Sequence, residues 1–133
     1  MFNKIAILLF LMLSQITFSQ SENESAKNTR IYFNNEVTTV PQFVGGQPAL
    51  DTFLKANFVQ PKKSKVKGEV LVAFVVEIDG SLTEIGVLSD AGFGTADEAI
   101  RVMSISPSWI PGTLNGRNVR VQQLLKIPVN QQL

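Results

Sequence analysis

Between Gly68 and Ile78 the chain reads GEVLVAFVVEI, and its order of apolar and polar positions organises everything else. Val70, Val72, Phe74, Val76 and Ile78 make one wholly apolar face. The alternate set, Glu69, Leu71, Ala73, Val75 and Glu77, is apolar in the middle and charged at its ends. A half-exposed strand alternates apolar and polar throughout. This pattern instead predicts a central strand, covered on one face and partly covered on the other. It stops at Asp79-Gly80, a hairpin-turn signal. A return strand follows over Leu82–Ser89, with Ile85 and Val87 toward the same core. The last alternation runs from Val119 to Val129. Val119, Val121, Gln123, Leu125, Ile127 and Val129 share one face; Arg120, Gln122, Leu124 and Lys126 share the other. Pro128 cannot donate to a ladder, so this strand is predicted to lie at a sheet edge at its far end.

Two stretches change period. Leu50, Phe53, Leu54, Asn57 and Phe58 recur at helical spacing, and Pro61 prevents continuation. The glycine pair in Pro41-Gln42-Phe43-Val44-Gly45-Gly46 marks a chain reversal, and the helix is expected to start at Gln47 or Pro48. Asp51 suits its positive end. A second helix is predicted from Thr95, where Thr95-x-x-Glu98 has the form of a capping box. Ala96, Ala99, Ile100 and Met103 are its expected buried stripe, and it must stop before Pro107. From Ser106 to Gly116 a connection rich in Pro and Gly is predicted to be irregular. It carries Pro107, Trp109, Pro111 and Gly112, with Trp109 as the anchor that pins it to the domain. Asn115-Gly116 is a tight-turn signal. Arg30–Val40, with Ile31, Tyr32, Phe33 and Val37, is compatible with a short edge strand.

Composition adds a leader and removes several chemistries. Lys4 followed by the nine apolar residues IAILLFLML reads as an export signal over residues 1–20, with cleavage after Ser19 or Gln20. As a helix that run spans about 14 Å, against about 30 Å for a bilayer core, which favours a cleaved signal over the alternative of an uncleaved inner-membrane anchor. Residues 21–40 are then a short polar leader and 41–133 a single domain, expected in the periplasm. Without Lys4 the formal net charge of +1 falls to zero, which argues against nucleic acid as partner. Lys62, Lys63, Lys65 and Lys67 cluster; they read as a solvated loop, with lipid or an acidic partner as the alternative. There is no Cys and no His, which excludes disulfides, Cys or His nucleophiles and zinc sites of Cys/His type. No metal or cofactor is expected. Glu77, Asp79, Glu84, Asp90, Asp97 and Glu98 are the remaining candidates for acid–base work, and each has an ordinary role available.

Taken in order, these motifs resemble the C-terminal domain of TonB-family energy transducers, in the style common among Bacteroidetes. The matching residues are Pro41-x-Phe43-x-Gly45-Gly46, Gly68-x-Val70, Asp79-Gly80-Ser81, Glu98-Ala99-x-Arg101, Pro107-x-Trp109-x-Pro111-Gly112, Asn115-Gly116 and Val119, spread over the last 93 residues. The resemblance implies an α+β fold, a small three-stranded antiparallel sheet with two helices packed on one face. It also implies a periplasmic binding module that captures the TonB box of an outer-membrane receptor by strand addition. The template would be the last strand: Val119, Val121, Gln122, Gln123, Leu124, Leu125, Lys126 and Ile127. An enzyme is not implied. The alternative is a self-assembling or structural part of an envelope complex, with the same edge used for a homodimer. Two departures stand out. The leader is too short for a membrane anchor and no long Pro-rich spacer precedes Pro41, so a cleaved chain is not expected to couple a proton gradient by itself. Asn118 stands where the family often has Pro.

Overall fold

The computed structural model of the protein describes residues 29–63 and 65–131. The apolar leader and its cleavage signal lie outside the described residues. Every element below belongs to the compact unit that begins at Ile31. In chain order these are β1 (Ile31–Tyr32), a single 3-10 turn (Asn34–Glu36), α1 (Gly46–Asn57), β2 (Gly68–Val76), β3 (Leu82–Ser89), α2 (Thr95–Ser104), β4 (Gly112–Leu114) and β5 (Arg117–Val129).

The sheet runs β1-β5-β2-β3. β2 lies between β5 and β3 and pairs antiparallel with both, so the apolar run is indeed central. Its register with β5 sets Val70 opposite Ile127, Val72 opposite Leu125, Phe74 opposite Gln123 and Val76 opposite Val121. Opposed residues share a face. That face carries the core: Val70, Val72, Phe74, Val76, Ile127 and Val129 pack with Leu50 and Leu54 of α1 and with Ala99, Val102 and Met103 of α2. The α+β class and the helices on one side agree with the sequence reading. The count of strands does not. Two short strands join the three long ones: β1 pairs parallel with β5 at Arg120 and Val121, and β4 pairs antiparallel with its first three residues. β1 lies within the Arg30–Val40 stretch expected to hold a short edge strand, whereas β4 was not expected, because three residues carry no periodicity.

Other local expectations need correction. Ile78 does not join the core face: β2 ends at Val76, and Ile78 is 41% exposed in the turn. That turn closes with Glu77 N–H on the Ser81 carbonyl (2.8 Å) and Gly80 N–H on the Glu77 carbonyl (2.9 Å). Asp51 is not in the first turn of α1; it accepts from Gln47 Nε2 at 2.8 Å. Thr95 is not a capping residue. Gly94 (φ +80°) takes the N-cap position, and buried Thr95 donates its hydroxyl to the Gly92 carbonyl (2.7 Å). The buried stripe of α2 is Thr95, Ala99, Val102 and Met103, so Val102 takes the place expected for Ile100, which is 38% exposed. Finally, Gly112 opens a strand instead of continuing a coil, and Asn115 (φ +50°) with Gly116 (φ +80°) makes the two-residue turn between β4 and β5. Positive φ at both central positions is the hairpin geometry that matches strand twist.

Candidate functional site: an open sheet edge

β5 is paired with β2 along one side from Val121 to Val129. On its other side β1 covers Arg120 and Val121, and among the described residues no strand continues beyond that point. The free stretch therefore starts at Gln122. It stops at Pro128, which has no N–H and whose carbonyl accepts from Gln60 Nε2 at 3.3 Å. Gln60 Oε1 in turn accepts from the Asn130 backbone N–H at 2.8 Å, which closes that end. In a strand, one residue's N–H and C=O point to the same side, and successive residues alternate. With Pro128 turned away from β2, the backbone groups of Lys126, Leu124 and Gln122 are turned away as well. The Gln122 carbonyl is already met by Gln123 Nε2 at 3.0 Å.

Side chains above and below this edge are recessed. On the core side a cleft of about 300 Å³ lies between the start of α1 and β5, bordered by Phe43, Gln47, Leu50, Trp109, Gln123 and Leu125. Further along, a second hollow of about 440 Å³ is bordered by Leu54, Lys55, Phe58, Ile127 and Gln131. On the opposite side a shallower hollow of about 220 Å³ lies between Phe33, Asn34, Gln122 and Leu124. Phe33 and Leu124 are both more than half exposed, at 55% and 59%.

The first cleft owes its shape to the loop before β4. Trp109 is buried edge-on against Phe74 (centroids 5.2 Å apart) and Phe43 (5.6 Å), and its indole N–H donates to Ser106 Oγ at 3.0 Å. Its backbone N–H donates to the Gly80 carbonyl at 2.8 Å. Gly80 has φ +85°, and a Cβ there would overlap the Trp109 carbonyl oxygen. Gly112 is equally crowded: a Cβ would lie 2.7 Å from Val121 Cγ2 and 3.0 Å from Pro41 Cδ. Gln42 exchanges backbone hydrogen bonds with Ile110, tying the Pro41–Phe43 segment to the same loop. Gly45 (φ +93°) turns the chain into α1, and a Cβ there would lie 2.7 Å from that of Ala49.

Of the eight residues expected along the capturing strand, Val119 pairs with Gly112 of β4, and Val121 is held between Val76 and Tyr32. Gln122, Gln123, Leu124, Leu125, Lys126 and Ile127 form the unpaired stretch. Pro41, Phe43 and Trp109 line the first cleft. Gly45, Asp79, Gly80, Pro107, Pro111 and Gly116 belong to the turns and loops, while Gly46 opens α1 and Gly112 opens β4. Asn118, at the family's proline position, donates from Nδ2 to the Ile78 carbonyl at 3.2 Å and ties the start of β5 to the β2–β3 turn.

The carboxylates serve as structural clamps. Glu77 takes Arg120 in a two-point contact (2.8 and 3.0 Å) and Thr83 Oγ1 at 2.5 Å. The Arg120 guanidinium holds the Glu77 pKa below the usual carboxylate range, and Thr83 adds to this. Glu98 binds Arg101 (2.6 Å) and accepts Val59 N–H at 2.8 Å, while Arg101 donates to the Asn57 carbonyl at 2.6 Å. This pair fastens α2 to the end of α1. Arg101 lowers the Glu98 pKa, and Ser81 lowers that of Asp79. Among the described residues no three acidic groups converge on a common point, and no helix is long and apolar enough to cross a membrane.

Comparisons with curated proteins and with solved structures found no match. The family model of the Gram-negative bacterial TonB protein C-terminal matches residues 60–130, just over half of the chain. That span holds β2 to β5, α2, the Trp109 loop and the whole free stretch of β5. The chain belongs to the TonB C-terminal domain family.

Proposed function

We propose that this domain is a periplasmic binding module that captures a short extended segment of an outer-membrane receptor, the TonB box, by adding it as a strand to β5. TonB C-terminal domains are the interaction modules of energy transducers and contact outer-membrane receptors, which supports this reading. The observation that carries it is the unpaired edge from Gln122 to Ile127, bounded by β1 at one end and by Pro128 with Gln60 at the other. Such an edge accepts main-chain hydrogen bonds from any extended segment, and recesses beside it select side chains.

The outward residues Leu124 and Lys126 offer four backbone groups; the Gln122 carbonyl meets Gln123 Nε2 and its N–H faces the β1 pairing. Four hydrogen bonds, at about 1 kcal/mol net each, are offset by about 2–5 kcal/mol for ordering the segment. Weak to moderate affinity follows, with burial of side chains in the clefts as the variable part. The test is NMR shift mapping of the labelled protein titrated with TonB-box peptides. Saturable shifts at the amides of Leu124 and Lys126, larger than at Gln123 and Leu125, are expected. Absence of shifts at millimolar peptide overturns the proposal. A stable dimer by sedimentation, in the absence of peptide, favours self-assembly through the same edge.

A further inference from the structure

A second surface lies at the end of the sheet where β2 starts and β3 and β5 finish. Lys62, Lys63, Lys65 and Lys67 precede β2, and none of them has a carboxylate within salt-bridge distance among the described residues. The segment that carries them is held in place by Asn130, whose Nδ2 donates to the carbonyls of Val66 (2.8 Å) and Lys63 (3.2 Å). Opposite, the loop after β3 raises Phe93, which is 65% exposed. Gly92, Phe93 and Gly94 all have positive φ (+73°, +56° and +80°). For the two glycines this is unremarkable. For Phe it is strained backbone, spent on an aromatic ring that stands in solvent. Lys63 Nζ sits 5.1 Å from that ring's centroid, and an open hollow of about 610 Å³ separates the lysines and Val66 from Ala91 and Phe93.

We infer that this end of the domain docks on an anionic phospholipid surface, with Phe93 entering the interface and the four lysines on the headgroup phosphates. The combination of an exposed aromatic with a cluster of lysines favours a lipid surface over an acidic polypeptide. A polypeptide would need only the charge, whereas a bilayer interface accepts both the ring and the charge. Each lysine near an anionic surface is worth about fivefold in partitioning, so neutralising four lowers it on the order of a hundredfold or more at low salt.

The full chain is tested with an environment-sensitive dye on Ser89→Cys, which labels uniquely because the protein has no cysteine. The dye reports this end of the sheet, so vesicle contacts made by the N-terminal leader do not move it. Phosphatidylcholine vesicles with and without 30 mol% phosphatidylglycerol (roughly the anionic content that gives a strong surface potential) are compared. A blue shift is expected with the anionic vesicles only. It is abolished by replacing the four lysines with Gln, weakened about tenfold by Phe93→Ser, and weakened by salt. A shift that survives the lysine replacements overturns the inference, as does no shift with anionic vesicles. A response to polyglutamate with none to vesicles also overturns it and assigns the patch to an acidic polypeptide. Peptide capture at β5 is unchanged in all these variants.

Discussion

Gly80 and Gly116 have nearly the same backbone conformation, φ +85° and +80°, but different surroundings. No atom lies within 4 Å of where a Cβ on Gly116 would be, whereas at Gly80 the Cβ would overlap the Trp109 carbonyl oxygen and lie 3.1 Å from its carbonyl carbon. Replacing either by Ala forces an L side chain into the left-handed region, at about 1 kcal/mol. For Gly116→Ala that is the whole effect. For Gly80→Ala the Trp109 loop must also retreat. The Trp109 N–H to Gly80 carbonyl bond goes, at about 1 kcal/mol. Trp109 shifts off Phe43 and Phe74; complete loss of a buried Trp costs about 3–5 kcal/mol, so a partial shift contributes about 1–2. The expected losses are about 1 kcal/mol for Gly116→Ala and about 3–4 for Gly80→Ala. Urea unfolding followed by the emission of Trp109, the only tryptophan, and by far-UV circular dichroism reads both. Equal midpoint shifts for the two variants would refute the close-approach argument.

Leu124→Pro removes only an outward N–H and is expected to abolish peptide shifts with little loss of stability, while Leu125→Pro breaks the β2–β5 ladder and unfolds the domain; equal thermal melts for the two would sink the assignment of outward residues. The Glu77–Arg120 coupling in a double-mutant cycle is expected at about 1 kcal/mol. Because the folded Glu77 pKa is depressed, its contribution is fully present above the unfolded value of 4.5 and is lost as pH falls through the lower folded value. A Glu77→Gln variant whose stability falls as steeply in acid as the parent's contradicts this. Asn130→Ala severs the ties to the Val66 and Lys63 carbonyls, so amide hydrogen exchange is expected to speed up around Val66 while the β2 amides stay protected; unchanged exchange would show that the loop holds itself.

What could be read from the sequence was what local pattern determines. The run from Gly68 is long and ends at Asp79-Gly80, so both β2 and the bounds of β3 were legible. The misreadings share a cause. Thr95 and Glu98 have the spacing of a capping box, but Glu98 is claimed by Arg101 and by Val59, 39 residues upstream. A long-range partner overrode a local motif. Likewise Val102 replaces Ile100 because helix rotation is set by what α2 packs on. β1 falls inside the Arg30–Val40 stretch read as a short edge strand, but its partner, a strand some 90 residues later, left no local trace. For the site, alternation identified β5, but which of its residues stay unpaired depends on where β1 and Gln60 happen to cover it.

The order of strands also constrains how the domain can come into being. β5 is made last yet sits inside the sheet, between β1, the first strand, and β2. Until some 50 further residues have been made, the apolar face of β2 has α1, β3 and α2 for company but lacks Ile127 and Val129 of β5, which complete the core. The pairings of β5 with β2 and β1 are therefore delivered together, late, over a long sequence separation, which favours slow and all-or-none assembly. A protease that cuts β5 after Val121 does not trim this domain; it leaves a central strand that has lost nearly all of its pairing on one side.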